Sequence, residues 1–168
     1  GNGGTQRLTR AVGKAKAIRT DYQPTEDDNV TIKGVAGDTY AMGFLGYAYY
    51  EENKDKVKAV AIDHGKGCVL PSRETVLDGT YQPLSRPLFI YVNVKSLDRP
   101  EVQAFVDFYL SPAARRAIRS TGYVELPSEA YRIGQELVKR RKAGTFFMEL
   151  PAGTPLSKFI QELDKELR

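Results

Sequence analysis

The chain has 168 residues, the size of one ordinary domain or of one and a half small lobes. Its 25 Lys+Arg against 21 Asp+Glu leave a net charge of +4, too mild for a dedicated nucleic-acid binder, while 41% hydrophobic and 10% aromatic residues are enough for a core and exclude global disorder. One cysteine, Cys68, excludes an intramolecular disulfide framework and a cysteine-only zinc site, and one histidine, His64, excludes a multi-histidine metal centre.

No run approaches the roughly 20 apolar residues that span a bilayer. The start, Gly1-Asn2-Gly3-Gly4-Thr5, has neither the charged region nor the apolar stretch of a signal peptide, and it has no initiating Met. It reads as the start of a mature, truncated or engineered product.

After that glycine-rich start, Gln6 to Ile18 has the spacing of a short basic helix, with Leu8, Ala11, Val12 and Ala15 on one side. Thr20 to Asn29 is a polar loop. Val30-Thr31-Ile32 alternates as a brief strand, Gly34 to Gly37 as a turn, and Asp38 caps a short helix through Met42. Phe44 to Tyr50 predicts a buried strand leading into a helix, and Glu51 to Lys58 a charged surface. Val57 to Ile62 predicts another strand, and residues 63–71 a loop.

Ser72 caps a helix that ends at Asp78-Gly79. Leu88-Phe89-Ile90-Tyr91-Val92, within Pro87 to Val94, is the strongest strand, continuous and β-rich. Asp98 or Arg99 opens a helix with Pro100 in its first turn, and Ser111-Pro112 restarts it until Gly122 stops it. Tyr123 to Pro127 is extended. Ser128-Glu129 starts a helix to about Lys142, Thr145 to Leu150 is a strand, and Thr154 or Pro155 to Leu167 forms an amphipathic helix. Alternating strands and helices give an α/β class with a mainly parallel sheet.

The first candidate for chemistry is Gly3-Gly4-Thr5 before a basic helix. Backbone N–H groups at a helix N-terminus attract anions, glycines let an oxyanion approach, and Thr5 adds a hydroxyl donor. A plain glycine-rich tail is the alternative. The basic set Arg7, Arg10, Lys14, Lys16 and Arg19 is either an anionic-partner face or a solvated one. Asp63-His64 with Cys68 has the residue types of a nucleophile couple, but both lie in one loop with no oxyanion architecture, and a plain surface loop is the better reading. Asp27-Asp28 and Glu51-Glu52 read as solvated charge, and Tyr47, Tyr49 and Tyr50 as ring packing at the edge of a core. None of these makes a catalytic constellation.

Several stretches together resemble a known family. Glu26-Asp27-Asp28-Asn29-Val30, Gly34-Val35-Ala36-Gly37-Asp38, Gly43-Phe44-Leu45-Gly46-Tyr47-Ala48-Tyr49-Tyr50 and Asn53-Lys54-Asp55-Lys56 occur in this order, followed by Asp78-Gly79-Thr80-Tyr81 and Pro83-Leu84-Ser85-Arg86-Pro87-Leu88-Phe89-Ile90-Tyr91. With Phe108-Tyr109-Leu110-Ser111-Pro112 and Gly122-Tyr123-Val124 downstream, the chain resembles the C-terminal half of phosphate ABC-transporter substrate-binding proteins, the PstS family.

The resemblance implies a periplasmic-binding-protein-like (type II) lobe with a mainly parallel sheet flanked by helices, and an incomplete first lobe. Residues 1–120 are then most of the second lobe, and residues 121–168 the segment returning to the first. It implies phosphate binding for ABC-type import, in the periplasm or on the outer face of the cell membrane. Gly3, Gly4 and Thr5 stand where the family has a phosphate-binding turn. Implied partners are inorganic phosphate, a membrane permease, and the missing first lobe or a second copy of the chain. No enzyme activity, cofactor, metal or nucleic acid is implied. The different-class alternative is a protein–protein interaction module without a ligand of its own.

Overall fold

The computed structural model describes residues 19–144, 150–151 and 154–168. The expected helix at Gln6 to Ile18, and all but the last residue of the expected strand Thr145 to Leu150, lie outside them.

The first described helix, α1 (Asp28–Gly37), replaces the expected strand and turn at Val30 to Gly37. The deciding feature is its cap. The Asp27 carboxylate accepts from the Asn29 N–H at 2.8 Å, and Asp28 adds negative charge to the first turn. Period-2 alternation over three residues does not outweigh that. Asp38 consequently ends α1 instead of opening the expected helix through Met42, and it accepts from the Tyr40 N–H at 2.8 Å. Gly43 lies against α1, where an added Cβ would meet the Thr31 and Val35 methyls at 2.7 and 3.0 Å. Helix α2 (Tyr47–Glu52) follows as expected, though none of the described residues before it forms a strand.

Strand pairing among the described residues is limited to β1 (Ile62–Asp63) and β2 (Cys68–Val69), antiparallel, with Ile62 opposite Val69 and Asp63 opposite Cys68. The four-residue turn between them is held by Asp63 Oδ1, which accepts from the N–H groups of Gly65 (2.7 Å) and Gly67 (3.1 Å). Residues 57–61 and 85–93 belong to no strand, so the expected mainly parallel sheet is not formed by the described residues. Leu88 to Val92 keeps its β-rich composition. A strand, however, is completed by a neighbour's hydrogen bonds, and no described segment supplies them. Leu88, Ile90 and Tyr91 are exposed.

The helical expectations with local punctuation hold. In α3 (Arg73–Leu77), the Ser72 hydroxyl accepts from the Thr75 N–H at 3.1 Å and the Thr75 hydroxyl accepts from the Ser72 N–H at 2.9 Å. A 3₁₀ turn (Val94–Asp98) leads into α4 (Pro100–Tyr109), which starts on Pro100. Ser111 caps α5 (Pro112–Ser120), accepting from the Ala114 N–H at 3.3 Å. Helix α6 (Ser128–Lys139) stops short of Lys142, and α7 (Leu156–Leu167) packs against it.

Val106 of α4 and Ile133 of α6 are the largest fully buried side chains. Leu110 lies 3.5 Å from the Cβ position of Gly134, and Gln135 Nε2 donates to the Leu110 carbonyl at 3.2 Å, so α6 crosses the α4–α5 junction. Phe159 of α7 stacks on Phe89 with centroids 5.7 Å apart.

Gly122 ends α5 at φ +76°, and a Cβ there would stand 3.4 Å from the Ala48 carbonyl of α2. Gly122→Ala is expected to lower stability by more than about 1 kcal/mol. The control Gly34→Ala, inside α1 with nothing within 4 Å, is expected to raise it by about 0.5–1 kcal/mol. Urea unfolding midpoints of the two variants check the opposite signs.

Candidate functional site

Gly3, Gly4 and Thr5 lie outside the described residues, as do Arg7, Arg10, Lys14 and Lys16. Arg19 is described. Its guanidinium pairs with Asp21, which raises the arginine's pKa and lowers that of the carboxyl. That ion pair is fully solvated and offers nothing to a partner anion.

His64 and Cys68 fall on the turn and second strand of the β1–β2 hairpin, both exposed, with no hydrogen bond between them. A nucleophile needs a base in contact and a donor pair for the oxyanion, and the hairpin supplies neither. No group of three His, Cys, Asp or Glu among the described residues is placed to hold a metal ion, and no described helix is long and apolar enough to cross a membrane.

The acidic pairs have local duties. Asp27 caps α1, and burial together with the Asp27 charge raises the carboxyl pKa of Asp28. Glu51 accepts from the Tyr47 hydroxyl at 2.8 Å and from Lys54 at 3.2 Å. Burial first, and the donated bond second, push the Tyr47 hydroxyl far above its ordinary range. Tyr47 and Tyr50 pack with ring centroids 6.2 Å apart, which leaves no open slot for a ligand between them.

Two arrangements were not visible in the sequence. Glu125, in the segment between α5 and α6, accepts from Arg73 of α3 at 3.1 Å and from Arg119 of α5 at 2.6 Å. Arg115 donates to the Ser128 hydroxyl at 2.7 Å and stands 5.1 Å over the Tyr131 ring. Arg73 and Glu125 are 52 positions apart, and no motif announces such a pairing.

An open groove of about 440 Å³ lies between the 3₁₀ turn, α4 and α6, lined by Asp107, Glu136, Lys139 and Arg141 among others. Its two carboxylates and two cations balance in sign, Arg141 pairs with Asp98 at 2.7 Å, and Glu136 pairs with Arg140 at 3.7 Å. The groove thus has no excess of positive charge to favour an anion.

No family model matches the chain. It is 47% identical over 153 residues to Protein SphX of Synechocystis sp., covering 88% of this chain and 45% of that protein. It is 41% identical over 108 residues to the phosphate-binding protein PstS of Staphylococcus haemolyticus, covering 63% of this chain and 34% of that protein. This chain is a homologue of SphX and PstS. It spans less than half the length of these relatives. Its structure is also similar to the crystal structure of a possible phosphate binding protein from Planctomyces limnophilus, with TM-score 0.63, 37% identity, and coverage of 82% of this chain and 49% of that one. At the level of fold, the described helices follow part of a binding protein of that kind.

The Tyr47–Glu51 bond yields a pH test. The donated bond holds the Glu51 carboxyl below its ordinary pKa, so the stabilisation is fully present above the ordinary glutamate range and is lost as pH falls through the lowered value. Tyr47→Phe is expected to cost about 0.5–1.5 kcal/mol at pH 7. The gap to wild type is expected to shrink below about pH 4, as measured by chemical denaturation across pH.

Proposed function

We propose that the chain is a part of an oxyanion receptor that takes inorganic phosphate for an ABC-type importer. The observation that carries this reading is the 41% identity to a phosphate-binding protein over 63% of the chain, together with the likeness to the solved structure. On this reading, residues 1–120 make most of the second lobe of a type II binding protein and residues 121–168 return towards the first lobe. The mainly parallel sheet is completed only in the whole receptor. The work is binding and hand-over to a membrane permease, outside the cytoplasmic membrane, without bond-breaking chemistry.

On this reading Gly3, Gly4 and Thr5 are the phosphate ligands that this part contributes, through main-chain N–H groups and the threonine hydroxyl. Magnitudes set what this part achieves alone. Micromolar binding needs about −8 kcal/mol. A helix N-terminus gives roughly 0.3–1 kcal/mol, up to about 2 when partly buried, and each hydrogen bond to a charged group perhaps 1.5–3 kcal/mol. A turn open to water cannot hold its anion in a low-dielectric site; that takes closure of an opposing lobe. Titration calorimetry of the 168-residue chain with inorganic phosphate is expected to give binding weaker than micromolar or none. Sub-micromolar binding by this chain alone overturns the division of the site between lobes.

A second reading, an interaction module, is favoured by one observation. Leu88, Ile90, Tyr91, Phe105 and Phe108 are all exposed. Apolar surface of this kind promotes association with another chain, either a complementary lobe or a second copy. Sedimentation velocity over a concentration series is expected to show self-association. A strictly monomeric, compact species counts against this reading.

A further inference from the structure

The passage from α5 to α6 runs through Tyr123 to Pro127 without helix or strand. From Tyr123 to Leu126, its only main-chain hydrogen bond to a described partner is a long one, from the Leu126 N–H to the Tyr131 hydroxyl at 3.4 Å. What ties it down is the side chain of Glu125. One carboxylate oxygen accepts from Arg73, which opens α3, and the other from Arg119 near the end of α5. The carboxylate side chain is only 20% exposed, against 38% for Arg73 and 44% for Arg119. One turn before Arg119, Arg115 reaches across to Ser128 at the start of α6.

We propose that Glu125 is an electrostatic latch on this crossing: the Arg73–Glu125–Arg119 triad controls local opening of residues 123–126, and ionic strength sets how often they open. Each arm taken singly is a partly exposed ion pair of small worth. The shared carboxylate changes the balance. With it, two guanidiniums are drawn to one centre. Without it, two like charges are left facing the same vacated position and repel. Losing Glu125 therefore opens the crossing more than losing either arginine does. Removing one arginine as well relieves the effect. A side chain that merely fills space has no such pattern.

Hydrogen–deuterium exchange on the 168-residue chain reads this directly, with the amides of Val106 and Ile133 as reporters of global unfolding. In Glu125→Gln, exchange at the Leu126 amide, the hydrogen-bonded N–H of this segment, is expected to rise about tenfold or more while the reporters stay unchanged. Adding Arg119→Gln to that variant is expected to slow it again several-fold. Salt is expected to act with opposite signs, speeding exchange in the wild type and slowing it in Glu125→Gln, because it screens an attraction in one and a repulsion in the other. Equal acceleration at the reporters, no relief from the second substitution, or one salt response in both chains overturns the latch. Should Glu125→Gln fail to fold by circular dichroism, wild-type exchange decides. A rate at the Leu126 amide that does not move between about 0.05 and 0.5 M salt overturns it. The test needs no phosphate and holds whichever reading of the ligand is right. Only one consequence rests on the proposed division at residue 120, namely that opening the latch frees one unit from the other.

Discussion

Val106 on α4 and Ile133 on α6 are the largest fully buried side chains among the described residues. Leu110, at the bend between α4 and α5, meets α6 at Gly134, 3.5 Å from where a Cβ would stand. The α4–α5 break falls at this contact. It turns the chain so that Ala114 is buried on α5 while Val106 remains buried on α4. The capping serine and the proline at Ser111-Pro112 make that turn inexpensive by satisfying a free N–H and by starting the new helix in a pre-set conformation.

Outside this core, the molecule is joined by polar side chains. α3 is tied to the α5–α6 crossing by an arginine–carboxylate bond, α2 to the same crossing by the seat of Gly122 on Ala48, and α4 to α6 by a glutamine on a main-chain carbonyl. Such ties fix orientation more than they add stability. Gln82 is buried and its amide donates to Ser85, while its carbonyl oxygen has no partner among the described residues.

What the sequence shows in advance divides by the range of the physical signal. Ser72, Pro100, Ser111-Pro112 and Gly122 act within one turn of chain, and each marks the boundary it predicts. Asp27 is an equally local signal, and its cap outweighs the short alternation of Val30-Thr31-Ile32 that suggests a strand. Leu88 to Val92 is different in kind. Its composition is that of a strand, but pairing is a property of two segments, and the second is not among the described residues. The Arg73–Glu125–Arg119 triad is equally non-local, since nothing near Glu125 in the chain points to Arg73. Gly3-Gly4-Thr5 rests on its resemblance alone.

Helices α6 and α7 bring their C-terminal ends to the same side: Arg140 donates to the Leu167 carbonyl, Lys142 pairs with Glu166, and Arg132 approaches Asp164. Neighbours aligned this way place two negative poles together, an arrangement that main-chain dipoles resist. The cationic side chains at that corner act as the counter-charge, with Arg140 of one helix covering the open carbonyl of the other. Here the fold uses long basic side chains as mortar between two ends that would otherwise push apart.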